Sequence, residues 1–230
     1  MTDPHDTPAA SDAHDDDAPM TPAEMLALTR AQEHRVEDFY QTPTTIIVVT
    51  WGVAWTIGFL ALWSASSASP IAVPAGPAAA VFVVLMIAGI VISGVVGTRT
   101  GAGVKGPQQV QARIYGITWA LGCLAVPMLA GALFRAGMSA EVAALYFPAG
   151  YCIVVGILYL FGAALFSDRS MIVVGGWILF IGIVAPYFGS PGNYLVMSLA
   201  GGGAFLVYGV VLLVARSRRD RRMVGAPSRG

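Results

Sequence analysis

An all-α polytopic membrane protein with six transmembrane helices is the fold class this sequence predicts, and three observations predict it. Hydrophobic residues make up 56% of the 230 residues and charged ones only 11%, against about a quarter charged in an ordinary soluble domain. The charges are also unevenly placed: residues 39–98, 114–134, 142–167 and 170–215 contain no Asp, Glu, Lys, Arg or His. A bilayer-crossing helix needs about 20 apolar residues. Stretches of 21 and 26 residues therefore hold one span each, and stretches of 60 and 46 hold two each. Runs such as Val81-Phe82-Val83-Val84-Leu85-Met86-Ile87 do not alternate, which excludes the strands of a membrane β-barrel. Thirteen basic and thirteen acidic residues cancel, so net charge is silent about partners.

Residues 1–20 read as a disordered acidic tail, with Asp3, Asp6, Asp12, Asp15, Asp16 and Asp17 and little to bury. His5 and His14 lie among these aspartates without the fixed spacing that holds a metal in one geometry, and no cofactor is expected. Residues 21–41 read as a cytoplasmic amphipathic helix. Thr21-Pro22-Ala23-Glu24 is a capping box with proline at the first helical position. Met25, Leu28, Val36 and Phe39 follow at helical spacing, while Arg30, Glu33 and Glu37 point elsewhere. Such a helix lies on headgroups, docks a partner protein, or packs on the chain's own loops, and the pattern leaves these open. Glu33-His34…Glu37 lacks the second histidine of a zinc-protease helix.

The membrane domain is expected over residues 44–216, with spans near 45–64, 76–97, 114–134, 142–166, 170–188 and 194–215. Ser64 to Pro77 holds three prolines among small residues, and Gly189-Ser190-Pro191-Gly192-Asn193 is a second turn signal; helix interiors do not accept such sequences. Residues 217–230 form a basic tail. With six spans, both tails and the loops 2–3 and 4–5 share one side. That side holds twelve of the thirteen basic residues and the other holds Arg135 alone, which places both termini in the cytoplasm. The polar, acidic start shows no cleavable signal peptide. Only one of the thirteen basic residues is lysine, which suits a GC-rich bacterium and its plasma membrane.

Gly52-Val53-Ala54-Trp55, Gly116-Ile117-Thr118-Trp119 and Gly176-Trp177 sit at matching depths of spans 1, 3 and 5. Gly156, Gly162 and Arg169 repeat the spacing of Gly203, Gly209 and Arg216. Three tandem helical hairpins explain this; so does the ordinary abundance of Gly and Trp in spans. The signature of mitochondrial carriers, also built of three hairpins, is absent.

Chemistry is sparse. No ionisable residue lies inside any span, which argues against ion-coupled transport and membrane-embedded acid–base or zinc catalysis; an enzyme is not expected. Gly101-Ala102-Gly103-Val104-Lys105-Gly106 matches G-x-G-x-x-G but lacks the strand–turn–helix setting of a dinucleotide site. Cys123 and Cys152 read as packing residues. Gly89, Ser93 and Gly97 form a small-residue stripe that allows close helix approach. Pro127, Pro148 and Pro186, with Tyr146, Tyr151, Tyr187 and Tyr194, mark a candidate outer vestibule; kinks absorbed by packing are the plainer reading. Arg216, Arg218, Arg219, Arg221 and Arg222 are candidate contacts to anionic lipid, each contributing about 1 kcal/mol. Nucleic-acid binding is not expected, since no module for it is present.

The segment Ala23-Glu24-Met25-Leu26-Ala27-Leu28, followed by Trp51-Gly52-Val53-Ala54-Trp55-x2-Gly58-Phe59, resembles a group of six-span integral membrane proteins of unassigned function from GC-rich bacteria. The likeness covers about residues 23–222 and implies a fold and an address, with no catalytic or binding residue to carry over. The first functional expectation is a non-enzymatic membrane protein acting through a cytoplasmic or membrane partner, docked on Met25, Leu28, Val36 and Phe39. The alternative is a small transport protein or permease subunit for an uncharged or lipophilic solute, with or without a separate ATPase. Oligomeric state is not readable from the residues.

Overall fold

The computed structural model describes residues 21–67, 69–71, 73–101 and 107–224, with side chains at 27, 30–41, 101, 107, 108 and 218–224 outside that description. The acidic tail 1–20 and the G-x-G-x-x-G loop at 102–106 thus lie outside the described residues. The described residues are helical, without strands: α1 Pro22–Ser64, α2 Ala75–Gly101, α3 Pro107–Arg135, α4 Ala140–Phe166, α5 Arg169–Val184, α6 Gly192–Val196 and α7 Gly203–Val224. A single-turn 3-10 segment, Ala185–Phe188, ends α5, and a π-helical turn, Met197–Gly202, joins α6 to α7. Six segments are long and apolar enough to cross a membrane: Thr42–Ser64, Ala75–Thr100, Gln109–Arg135, Ala140–Phe166, Arg169–Phe188 and Gly192–Ser217. The protein is a multi-pass helical membrane protein, with spans at the places the charge-free stretches predict.

The chain divides into two compact units, residues 1–40 and 41–230. In the first, the capping box is formed as its residues dictate. The Thr21 backbone N–H and hydroxyl both donate to Glu24 Oε2, at 2.8 and 2.9 Å, and Glu24 N–H donates back to Thr21 Oγ1 at 3.3 Å. These bonds favour the ionised carboxyl and hold it below its ordinary value of 4.5, the backbone N–H being the larger cause. A group lowered on folding stabilises the helix start above its unfolded value, and that stabilisation is lost as pH falls through the folded one. A peptide of residues 20–41 in micelles is expected to lose helical circular dichroism below pH 4.5, and the Glu24→Gln peptide to show a flatter profile. α1 is one element with Pro43 inside it. A proline removes one i→i−4 bond and bends a helix without having to end it.

In the second unit, the turns follow local chemistry. Pro77 falls in the first turn of α2, where its missing N–H leaves no bond unmade. Gly137, at φ +96°, reverses the chain after α3, and the Ser139 side chain then caps α4 by accepting from Val142 N–H. Ser167, at φ 55°, ends α4, and Asp168 caps α5 by accepting from the N–H and hydroxyl of Ser170, at 2.8 and 2.7 Å. Two residues therefore suffice to turn between α4 and α5.

Glycines set how closely the spans approach. A Cβ on Gly156 of α4 would lie 2.9 Å from the Gly175 oxygen and the Leu179 nitrogen of α5, and one on Gly175 would lie 2.9 Å from the Gly156 oxygen. Gly201 and Gly202 of the π-helical turn press on Trp55 and Thr56 of α1, and Gly209 of α7 faces Val49. Ser198, fully buried in the same turn, donates to the Thr56 carbonyl at 2.8 Å. Two of the three stripe residues on α2 are taken up within the chain: Gly89 lies against the Trp51 ring and Ser93 Oγ accepts from Trp51 Nε1 at 2.9 Å, while Gly97 is open. Lipid tails are as apolar as leucine, so association between spans rests on this fit and on interhelical hydrogen bonds.

The proposed hairpin repeat is not reflected in equivalent packing. Gly52 is closed off by Leu206, whereas Gly116 and Gly176 have open space at their Cβ positions. Gly156, Gly162 and Gly209 are tightly packed and Gly203 is not. Arg216 Nη1 donates to Thr42 Oγ1 at 2.9 Å, which brings the start of the first span and the end of the last to one face.

Candidate functional site

The spans line a partly open cavity of about 1310 Å³. On α1 its wall is the stripe Thr44, Val48, Trp51, Trp55, Phe59 and Leu62, steps of three and four that keep one helix face turned inward. On α4 the wall extends from Ala140 to Tyr159. At 1.5 Å per residue each stripe is roughly 27–29 Å long, close to the ≈ 30 Å hydrocarbon thickness of a bilayer. Phe82, Met86, Ile90 and Gly94 of α2, Tyr115, Trp119 and Cys123 of α3, Met171, Val174 and Ile178 of α5, and Phe205 and Tyr208 of α7 complete it.

Neither α2 nor α3 is deeply embedded. Only 6% of the α2 span and 11% of the α3 span is buried, against 33% for the span in α1. Among the described residues no hydrogen bond or ring contact joins α2 to α3. The ties run instead from α2 to α1 through Trp51 and Ser93, and from α3 to α4 through Tyr115 hydroxyl to the Leu158 carbonyl at 3.1 Å. Tyr146 of α4 adds a bond to the Val126 carbonyl at 3.0 Å.

The wall is aromatic and nearly uncharged. Tyr115, Trp119 and Tyr159 form a ladder of edge-on rings, with centroids 6.2 and 5.7 Å apart. Trp55 packs edge-on against Phe59 and Phe205 at 5.8 and 5.6 Å. Among the described residues Asp168 is the one charged residue in the wall, at the end shared by Ser170 and Thr44, and no Lys or Arg lines it. The buried polar atoms without a partner among the described residues are Thr56 Oγ1 and Asn193 Oδ1. Cys123 and Cys152 are free thiols in the wall, with Cys152 Sγ 3.9 Å from Met197 Sδ. Among the described residues no group of three or more His, Cys, Asp and Glu is placed to hold a metal ion. A second, more open hollow of about 510 Å³ lies between α5 and the segment around α6, walled by apolar residues such as Trp177, Phe180 and Leu199.

The outer-vestibule residues are not brought together. Pro148 lines the large cavity, as do Tyr151 and Tyr194. Pro127 is exposed on α3, Pro186 is half-buried in the 3-10 segment, and Tyr187 is 86% exposed. Met25 and Leu28 are exposed at 49% and 46%; the side chains of Val36 and Phe39 lie outside the described residues. So do those of Arg218, Arg219, Arg221 and Arg222, while Arg216 is exposed and bonded to Thr42. Sequence reasoning missed the Trp51, Trp55, Phe59, Trp119 and Tyr159 wall. A helix face turned to lipid and one turned to a largely apolar cavity are equally apolar. The usable signal was the aromatic residues recurring at three and four along α1. No protein-family profile, curated protein or solved structure matches this chain.

Proposed function

We propose that this is a non-enzymatic protein of a bacterial plasma membrane, with both ends in the cytoplasm, that binds an uncharged or lipophilic solute inside its helical bundle and passes it across or within the bilayer. The observation that carries this is the aromatic cavity of about 1310 Å³ extending nearly the length of the spans. Ligand sites are concave, largely apolar, and furnished with a few polar groups, as this one is. The lack of ionisable groups within the spans favours a solute that needs no coupled ion. The two-residue turn between α4 and α5 leaves no groove there for an ATPase, which supports action without one.

Exposed Met25, Leu26 and Leu28 support a second role, the docking of a cytoplasmic partner on the first unit. Twelve basic residues on one side against one on the other support the orientation. A cysteine placed at Ser217, in a chain whose Cys123 and Cys152 are replaced by serine, is expected to react with an impermeant maleimide only after cells are opened. Labelling of intact cells would reverse the topology. For the solute, the purified protein in nanodiscs is expected to bind a neutral lipophilic probe such as triphenylphosphine oxide saturably, with quenching of tryptophan fluorescence. Purely linear partitioning of neutral and charged lipophilic probes alike, equal to that of empty nanodiscs, would remove the solute reading.

A further inference from the structure

Resting on that reading, the geometry points to lipophilic organic cations, rather than neutral or anionic lipophiles, as the solutes this cavity holds best. Two independent features of the wall set the sign. The first is the ring ladder Tyr115, Trp119 and Tyr159, reaching into the cavity from α3 and α4 with 5.7–6.2 Å between centroids. Aromatic faces carry negative potential and attract a cation within about 6 Å, more strongly when water is excluded, and tryptophan does so best. The second is the charge inventory. Among the described residues Asp168 lies in the wall, and no Lys or Arg does.

The described basic residues on the loops nearest Asp168 stay out of the wall. Arg99, Arg113 and Arg169 are exposed and none lines the cavity. One Asp168 oxygen, Oδ1, is engaged by Ser170, and the carboxylate as a whole keeps its attraction for a cation at the mouth. An anion would meet the electron-rich aromatic wall and Asp168 with no countercharge among the described lining residues. A neutral body of equal shape would gain the apolar contacts alone. The rings also resist collapse: the Tyr115 hydroxyl is fixed to the Leu158 carbonyl at 3.1 Å, and its ring packs edge-on against Phe166 at 5.3 Å.

The test compares three phenyl-bearing probes on the full chain in nanodiscs: tetraphenylphosphonium, triphenylphosphine oxide and tetraphenylborate, each corrected for uptake by empty nanodiscs. The cation is expected to bind about tenfold more tightly than the neutral probe, and the anion not to bind saturably. Trp119→Leu should weaken the cation by about fivefold to tenfold and the neutral probe much less. Trp119→Phe, which keeps a ring, should retain most of the cation affinity, so a fold lost in the leucine variant does not decide the matter. Asp168→Asn keeps a capping side chain and should weaken only the cation. Equal or tighter binding of the neutral probe or the anion would overturn the inference while leaving the proposed solute-binding role in place. So would Asp168→Asn or Trp119→Leu weakening cation and neutral probe alike. Failure of all three probes to bind would overturn both.

Discussion

Gly156→Leu is expected to destabilise the bundle more than any other single substitution on α4, because the atoms opposite Gly156 are main chain. A Cβ there would lie 2.8 Å from Leu179 Cβ and 2.9 Å from the Gly175 oxygen and Leu179 nitrogen. A side-chain tip can swing aside, but a helix backbone moves only as a body. Leucine at this point must therefore push α5 away from α4 along their whole contact. That opens the neighbouring approach of Gly182 to Cys152 and exposes Ile178 and Ile181 of the core. Overpacking of this kind costs about 1–3 kcal/mol. Solvent exclusion gives no compensating drive, since spans associate in lipid by fit and hydrogen bonds. With roughly 2–4 °C of midpoint per kcal/mol for a chain of this size, the detergent-solubilised variant should lose monodispersity on size exclusion about 2–12 °C lower. Gly176→Leu, one residue from Gly175 but with nothing within 4 Å of its Cβ, should leave the midpoint within about 2 °C, as open positions do. Equal losses at Gly156 and Gly176 would show that helix propensity, not the approach of α4 to α5, sets the cost.

The pair Gly156 and Gly176 also shows which level of this fold is readable from residues alone. Charge spacing locates six spans, because excluding ionic groups from hydrocarbon is a strong and local rule. The capping box at Thr21 and Glu24 and the proline-rich turn before α2 are equally local. Which glycine is compressed and which is open depends on the rotation of one helix against another, and nothing local encodes that. The same ambiguity hid the cavity. Trp55 and Trp119 were grouped by a shared Gly-x-x-Trp spacing, yet Trp55 packs between Phe59 and Phe205 while Trp119 bridges Tyr115 and Tyr159. Their common property is that both face the same cavity, a fact about the bundle and not about either helix. Pro127, Pro148 and Pro186 look alike as helix breakers, and only Pro148 reaches the cavity wall.

Filling the cavity should abolish solute binding without loosening the bundle, and Gly94 is the place to do it. Gly94 lines the cavity from α2, and a Cβ there meets nothing within 4 Å. Gly94→Trp therefore projects an indole into the space facing the α1 stripe, while the α2 contacts of Gly89 and Ser93 to Trp51 stay intact. Replacing glycine within a helix also removes a propensity penalty of about 1 kcal/mol, so the midpoint should hold or rise slightly. Affinity for a neutral lipophilic probe is expected to fall at least about tenfold, the equivalent of 1.4 kcal/mol of lost contact. Gly116→Trp, from α3 and likewise open at its Cβ, should act in the same direction, and the double variant should bind nothing saturably. Gly176→Trp supplies the control, because Gly176 is open but lies outside the wall. If a folded Gly94→Trp, Gly116→Trp double variant bound the probe as the parent does, the solute would have to sit elsewhere on the bundle. The more open hollow beside Trp177 and Leu199 would then be the next place to block. The contrast with Gly156→Leu is the physical content of the comparison: one glycine is small because backbone abuts it, the other because a space does, and only the second kind can be filled at no cost to the fold.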